Sequence, residues 1–245
     1  MTRYKLTIEY DGAGFVGWQR QTSGPSVQQA LEEAVEAFCG RRVVLYGAGR
    51  TDTGVHALGQ VAHLDLPEAI PPDRLRDAIN FHTKPWPAAV LRAEPVEADF
   101  HARFSALERR YLYRIANRRP PLVLDRGRAW RVPKPLDAAA MQAGADRLVG
   151  HHDFAAFRSS ECQAENAVRT LDLLRVTRLG ETVELEVAAR SFLHNQVRII
   201  AGTLKQVGEG RWTPDDVSRI LASRDRRLAG QTAPPHGLTL TAVRY

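Results

Sequence analysis

Residues 47–60 read GAGRTDTGVHALGQ, and this stretch holds the densest chemistry in the chain. Gly47, Gly49 and Gly54 mark a loop, and one carboxylate, Asp52, lies inside it beside Arg50, Thr51 and Thr53. A dinucleotide fingerprint would need a third glycine at position 52. A P-loop would need Lys and Ser or Thr after Gly54, where Val55 and His56 stand. His56 and His63 flank the loop, and His151, His152 and Asp153 follow later, but none has a metal-ligand spacing, so no metal is expected. No G-x-S-x-G occurs, and Cys39 and Cys162 belong to no CxxC, which argues against a serine nucleophile, a zinc site and a structural disulfide. A retaining glycosidase would need a second carboxylate, and the loop offers none. By residue types alone Asp52 reads most plainly as an Asx-turn or helix cap. The chemical reading beside it is a lone nucleophile or general base.

The bulk of the sequence sets the frame for that loop. With 245 residues, the chain is long enough for one large domain or two small ones, each with a real core. Hydrophobic residues make up 44% and charged residues 25%, an ordinary soluble composition. No apolar run approaches the ~20 residues that span a bilayer, so no membrane role is expected. The opening MTRYKLTIEY reads as a strand, which makes the cytoplasm the default location. Net charge is +6, and Lys5, Lys84, Lys134 and Lys205 are the only lysines among 34 basic residues. Genomic base composition can produce that arginine preference, yet the positive balance also favours a polyanionic partner.

The elements that would position the loop follow from patterning. Residues 3–10 alternate, with Tyr4, Leu6, Ile8 and Tyr10 on one face. Ser26 and Gln29 form a capping box before an apolar helical stripe that stops at Gly40. Strands are expected at 43–46, 61–66 and 88–96, and a short helix from Pro71 and Pro72 to Asn80. In the second half, strands are expected at 107–116, 171–179, 182–189 and 238–245. Helices are expected at 137–148, across HNQVRIIAGTLKQVG, and after Thr213, with Pro214 and Asp216 behind it. Strands around few helices indicate an α+β protein with a mostly antiparallel sheet. The two halves repeat an element order and meet near 98–106, which suggests a duplicated unit. The expected division is 1–103, carrying the Asp52 loop, and 104–245.

Seven segments occur together along the chain: YDGAGFVGWQRQ, GAGRTDTGVHALGQVAHL, DFHARFSALERRYLYRI, FAAFRSSECQ, SFLHNQVRIIAGTL and APPHGLTLTAVRY, with the helix SVQQALEEAV after the first. In order and spacing the set resembles the bacterial tRNA pseudouridine synthase A family over essentially the whole chain. The resemblance implies two similar α+β subdomains whose mostly antiparallel sheets join, with the active cleft between them. It implies an isomerase that detaches uracil from C1′ of a tRNA uridine, turns the base and rejoins it through C5. The implied targets are positions 38, 39 and 40 of the anticodon stem-loop. No metal and no organic cofactor are implied, and the enzyme would be a homodimer with tRNA across both subunits.

The resemblance also assigns roles. Asp52 becomes the catalytic nucleophile, which must be ionised, and Arg198 the guanidinium that favours its charged form. A paired base is out of reach of a carboxylate, so it must be flipped out. Arg50 would fill the vacated stack, and Tyr111 would contact the substrate base, while Tyr113 is read as core. His101 and Arg103, together with Arg158 and Gln163, would hold the tRNA backbone. Thr239 stands where the family commonly has a larger aromatic, which leaves local packing there open. Competing readings are a non-catalytic tRNA-binding or chaperone protein, a metal-dependent nuclease, and a sister synthase with another target.

Overall fold

Alternation of Tyr4, Leu6, Ile8 and Tyr10 with polar residues makes the first strand, and all four are buried in the computed structural model, which describes residues 1–245. In chain order the elements are β1 (Thr2–Tyr10), α1 (Val27–Cys39), β2 (Tyr46–Gly47), β3 (His56–Leu66), α2 (Pro72–Thr83), β4 (Ala88–Val96), β5 (Glu108–Ala116), β6 (Trp130–Arg131) and α3 (Ala138–Ala145). They continue with β7 (Gly150–Asp153), β8 (Val168–Leu179), β9 (Thr182–Ala189), α4 (Gln196–Gly208), α5 (Pro214–Ser223) and β10 (Leu238–Arg244). No helix is long and apolar enough to cross a membrane.

Two compact units result: residues Met1–Leu107 with Thr239–Tyr245, and residues Glu108–Leu238. The division therefore falls four residues past the expected 103/104 boundary, and the last strand returns to the first unit. In the first unit the strand order is β4-β1-β3-β10. Pairing is antiparallel at β1–β4 and β1–β3 and parallel at β3–β10, where Thr239 faces His56. Helices α1 and α2 contribute Leu31, Val35, Leu75 and Ile79 to the core. In the second unit β5, β9, β8 and β7 form an antiparallel series, and β6 adds to β5 in parallel. Its core gathers Tyr113, Ile115, Leu185 and Val187 from the sheet, Ile199, Ile200 and Leu204 from α4, and Phe154 and Phe157 between β7 and the next turn. The architecture is α+β with mostly antiparallel sheets.

Most element ends carry the expected signals. Ser26 Oγ accepts the Gln29 N–H, but the Gln29 side chain turns to Glu33, so the box is only half closed. Gly40 ends α1 at φ 68°. Thr213 and Asp216 close a full capping box on α5. The strand expected at 43–46 shrinks to Tyr46–Gly47. The reason is that the Leu45 N–H donates to Glu32 Oε1 (3.0 Å) and its carbonyl accepts from Gln28 Nε2 (3.1 Å), so α1 side chains take the bonds a strand partner would use. The strand expected at 61–66 instead begins at His56. Gly59 does not break it, because a Cβ there would lie 2.6 Å from the Thr241 carbonyl oxygen of β10. The helix expected at 137–148 spans only Ala138–Ala145, with Asp137 as its cap. Strand β7 lies where the HHD residues were weighed as possible ligands: His151 Nδ1 is 3.0 Å from Thr170 Oγ1, and His152 Nε2 is 3.0 Å from the Val149 carbonyl.

Candidate active site

Arg50, Thr51 and Asp52 connect β2 to β3, and their side chains take three different environments. Arg50 is exposed, Thr51 is buried and Asp52 is half-buried. Thr51 is the anchor. Its Oγ1 lies 2.8 Å from the Tyr10 hydroxyl, and its carbonyl accepts the Trp18 N–H at 3.1 Å. Gln60 of β3 donates through Nε2 to the Gly49 carbonyl at 3.0 Å. On the other side the Val55 N–H donates to the Asp52 carbonyl at 3.1 Å, and Thr53 Oγ1 donates to the Val16 carbonyl at 3.0 Å. Burial pushes the Tyr10 phenol up to about 12, against the pull of its Thr51 and Gln60 hydrogen bonds, so it stays a neutral hydroxyl. The loop is glycine-rich without being loose. Gly54 takes φ +77°, and a Cβ on Gly47 would meet the Trp18 ring at 2.6 Å. The chain after Asp52 enters strand β3, so the helix-cap reading of this residue does not hold.

The first unit also carries His101 and Arg103, held from the far part of β3. His63, 2% exposed, accepts the Ala102 N–H on Nδ1 at 3.1 Å. His101 Nδ1 in turn accepts the N–H groups of Arg103 (3.1 Å) and Phe104 (3.4 Å). Tyr46 stacks on His63 with ring centroids 5.1 Å apart, and the His101 and His63 rings meet edge-on at 4.7 Å. Arg103 is exposed, with its guanidinium carbon 5.5 Å from the Phe104 ring. Two imidazoles thus fix a turn that presents an arginine and an aromatic face to solvent, a combination suited to phosphate and base contacts.

The second unit places Arg198 in the first turn of α4. Nε donates to the Ala233 carbonyl at 2.8 Å and Nη1 to Asn195 Oδ1 at 2.6 Å. Asn195 sits before α4 at φ 62°, and its amide serves Arg198 and not the helix end. Arg198 is half-buried between the buried Val197 and Ile199, with its head fixed at two points. Tyr111 of β5 is 9% exposed and meets the Phe192 ring edge-on at 5.2 Å. Tyr113 is fully buried, as expected for core, and donates to the Pro234 carbonyl at 2.8 Å. Burial raises its phenol well above the ordinary range, opposed by the charge of Arg198. Arg158 is half-buried and donates to the Ala164 carbonyl at 3.3 Å, and Gln163 is exposed. The Ser159 N–H donates to the His194 carbonyl at 3.1 Å, which brings the 158–163 segment to the start of α4.

Some candidates are thus brought together within a unit: Arg50 and Asp52 on one pinned loop, and the Arg158 segment at the start of the helix that carries Arg198. What the sequence reading missed is the layer beneath them. Tyr10, Trp18 and Gln60 hold the Asp52 loop, while Asn195 and Ala233 hold Arg198. Only Tyr10 left a signal, as a phenol on the buried face of a strand that must find a hydrogen-bond partner.

A pinned glycine loop thus presents one half-buried carboxylate on an α+β scaffold. A family model described as tRNA pseudouridine synthase matches residues 6–105 and 145–245, and the chain belongs to that family. It is 61% identical to the tRNA pseudouridine synthase A of Paramagnetospirillum magneticum, across 100% of this chain and 96% of that one. It is 60% identical to the tRNA pseudouridine synthase A of Rhodospirillum centenum and 58% identical to that of Parvibaculum lavamentivorans, with 100% of both chains covered in each case. Among solved structures it is similar to a chain of a Cbf5-Nop10-Gar1 complex at 11% identity and a TM-score of 0.35, over 82% of this chain and 45% of that one.

Proposed function

We propose that this enzyme converts uridine to pseudouridine at positions 38, 39 and 40 in the anticodon stem-loop of tRNA, with Asp52 as nucleophile. The observation that carries the reading is the anchoring of Asp52. Thr51 before it and Val55 after it are fixed by hydrogen bonds of 2.8 and 3.1 Å, while the carboxylate side chain itself stays half-buried. Such a group keeps access to substrate and loses little on ordering when substrate binds. The reaction breaks the N1–C1′ bond and forms C5–C1′; N1 gains a proton and C5 gives one up. No electrons leave the nucleotide, so side chains suffice and no cofactor is invoked.

Arg198 is the second catalytic group, and its two fixed hydrogen bonds orient its head. The target base is flipped out of its stack, Arg50 takes the vacated place and Tyr111 contacts the base. Arg50 is suited to this by its exposure and its planar head. His101, Arg103, Arg158 and Gln163 contact the tRNA backbone. The enzyme works in the cytoplasm as a homodimer.

The decisive experiment is tritium release from C5-labelled uridine in an anticodon stem-loop, with purified protein and no added metal. Asp52→Ala should release none. Normal release from that variant would end the assignment, and cleaved RNA would point to a nuclease. Mapping modified positions in tRNA from a deletion strain checks the target, and sedimentation of the purified protein checks the dimer.

A further inference from the structure

His56 lies four residues after Asp52 and plays no part in the chemistry proposed above, yet it is only 7% exposed at the start of β3. Its Nδ1 accepts the Gly12 N–H at 3.1 Å, and Asp11 Oδ1 lies 3.1 Å from the same nitrogen. That nitrogen has one hydrogen-bonding site: bare, it accepts the Gly12 N–H, and only with a proton on it would it donate to Asp11 Oδ1 instead. The turn that follows β1 is itself built on Asp11, whose Oδ1 accepts the Ala13 N–H at 2.9 Å and whose own N–H donates to the Pro87 carbonyl at 3.0 Å. The turn presses on the Asp52 loop without a spacer: a Cβ on Gly12 would lie 2.1 Å from the Val55 carbonyl oxygen. Val55 in turn donates its N–H to the Asp52 carbonyl. The path from His56 to Asp52 thus runs through one hydrogen bond to Gly12, one backbone contact and one further hydrogen bond, while Asp11 holds the same turn through its own bonds.

We infer that His56, together with Asp11, is a positioning residue: Nδ1 holds the Asp11–Gly12 turn against Val55 and so fixes where the Asp52 carboxylate stands. The nitrogen required is Nδ1, near the Cβ, and this makes the role separable from simple filling of space. Asparagine places a polar atom close to the Nδ1 position and can face Gly12 or Asp11. Glutamine carries its amide farther out, toward the Nε2 position, and leaves the buried Gly12 N–H unserved. Misplacing a reacting group by about an ångström can lower turnover by as much as a hundredfold while leaving binding alone. The effect belongs in kcat, because the proposed tRNA backbone contacts, His101, Arg103, Arg158 and Gln163, lie on other segments.

This inference rests on the assignment of Asp52, and the test keeps the two apart. His56→Asn, His56→Gln and Asp11→Ala are compared with the parent enzyme and with Asp52→Ala for kcat and KM on the stem-loop and for melting temperature. His56→Gln is expected to lose about tenfold or more in kcat with KM nearly unchanged. His56→Asn should keep most of the activity at a similar melting temperature. The pair His56→Gln with Asp11→Ala should lose no more than the worse single variant, because both release the same turn. Equal kcat for the Asn and Gln variants, losses that only follow melting temperature, or additive losses in the pair would overturn the positioning role. If Asp52→Ala stays active, the assignment of Asp52 fails first. If it is dead while His56→Gln matches the parent, only this inference fails.

Discussion

In the proposed reaction the Asp52 carboxylate acts only as well as its neighbours hold it, and the holding atoms are few. Tyr10→Phe deletes the hydroxyl 2.8 Å from Thr51 Oγ1 and leaves that buried oxygen without its phenol. The expected cost is about 1–3 kcal/mol of stability, read as a lower urea midpoint, together with a fall in kcat. Because burial keeps the phenol neutral, the loss should not vary across neutral pH. Arg198 gives a second case. Lysine keeps the charge but has no planar fork to bond Ala233 and Asn195 at the same time. Arg198→Lys is therefore expected to lose most turnover with KM little changed; parent-like kcat in tritium release would show that charge alone matters.

At the scale of elements, α4 presents Arg198 through a backbone-to-backbone contact. A Cβ on Gly202 would lie 1.8 Å from the Gln231 carbonyl oxygen, and one on Gly230 would lie 2.6 Å from the Gly202 carbonyl carbon. The Gly230 N–H also donates to Thr203 Oγ1 at 3.0 Å. This contact seats residues 230–233 on the helix and delivers the Ala233 carbonyl to Arg198. Gly202→Ala should lower the melting temperature by on the order of 10 °C, and should cut kcat in the molecules that stay folded. A calorimetric scan beside a turnover assay checks both. The helix was legible across HNQVRIIAGTLKQVG, but nothing local explains the glycine at 202. Its reason lies 29 positions along the chain, where no local pattern reaches. The same limit explains residues 43–46, where Glu32 and Gln28 of α1 draw Leu45 out of strand pairing.

For the whole molecule the relevant quantities are charge and protonation. A net charge of +6 suits an RNA ligand, and the backbone contact proposed for Arg158 should affect affinity more than chemistry. Arg158→Ala is expected to raise KM, hold kcat, and reduce the salt slope of tRNA binding by about 1. One contribution to stability that is lost in mild acid comes from His63. Burial first, then the charges of His101 and Arg3, lower its imidazole from 6.5 to about 4, with Asp65 and a Tyr46 hydrogen bond opposing. The folded chain thus keeps His63 neutral where the unfolded chain protonates it. Its contribution is complete above pH 6.5, declines as the pH falls, and is fully lost near 4. Urea midpoints measured across that range should fall, and His63→Asn should flatten the fall.

By itself the sequence determined the α+β class, most of the elements and the family, because alternation, helical stripes, caps and the GRTDTGVHA stretch are local patterns of residue type. Residue types alone left Asp52 an Asx-turn or helix cap, and only the resemblance carried by the surrounding segments gave it a chemical role. Only the tertiary structure decided which groups hold that loop and its counterpart on α4. Tyr10 and Thr51 are 41 positions apart, Gly12 and His56 are 44, and Arg198 and Ala233 are 35. Hydrogen bonds between such positions depend on strand register and backbone approach of a few tenths of an ångström, which folding creates and no local run of residues encodes. The last strand shows this most simply. Its residues read as an end-strand wherever they lie, and only the fold returns Thr239–Tyr245 to the unit that holds Asp52.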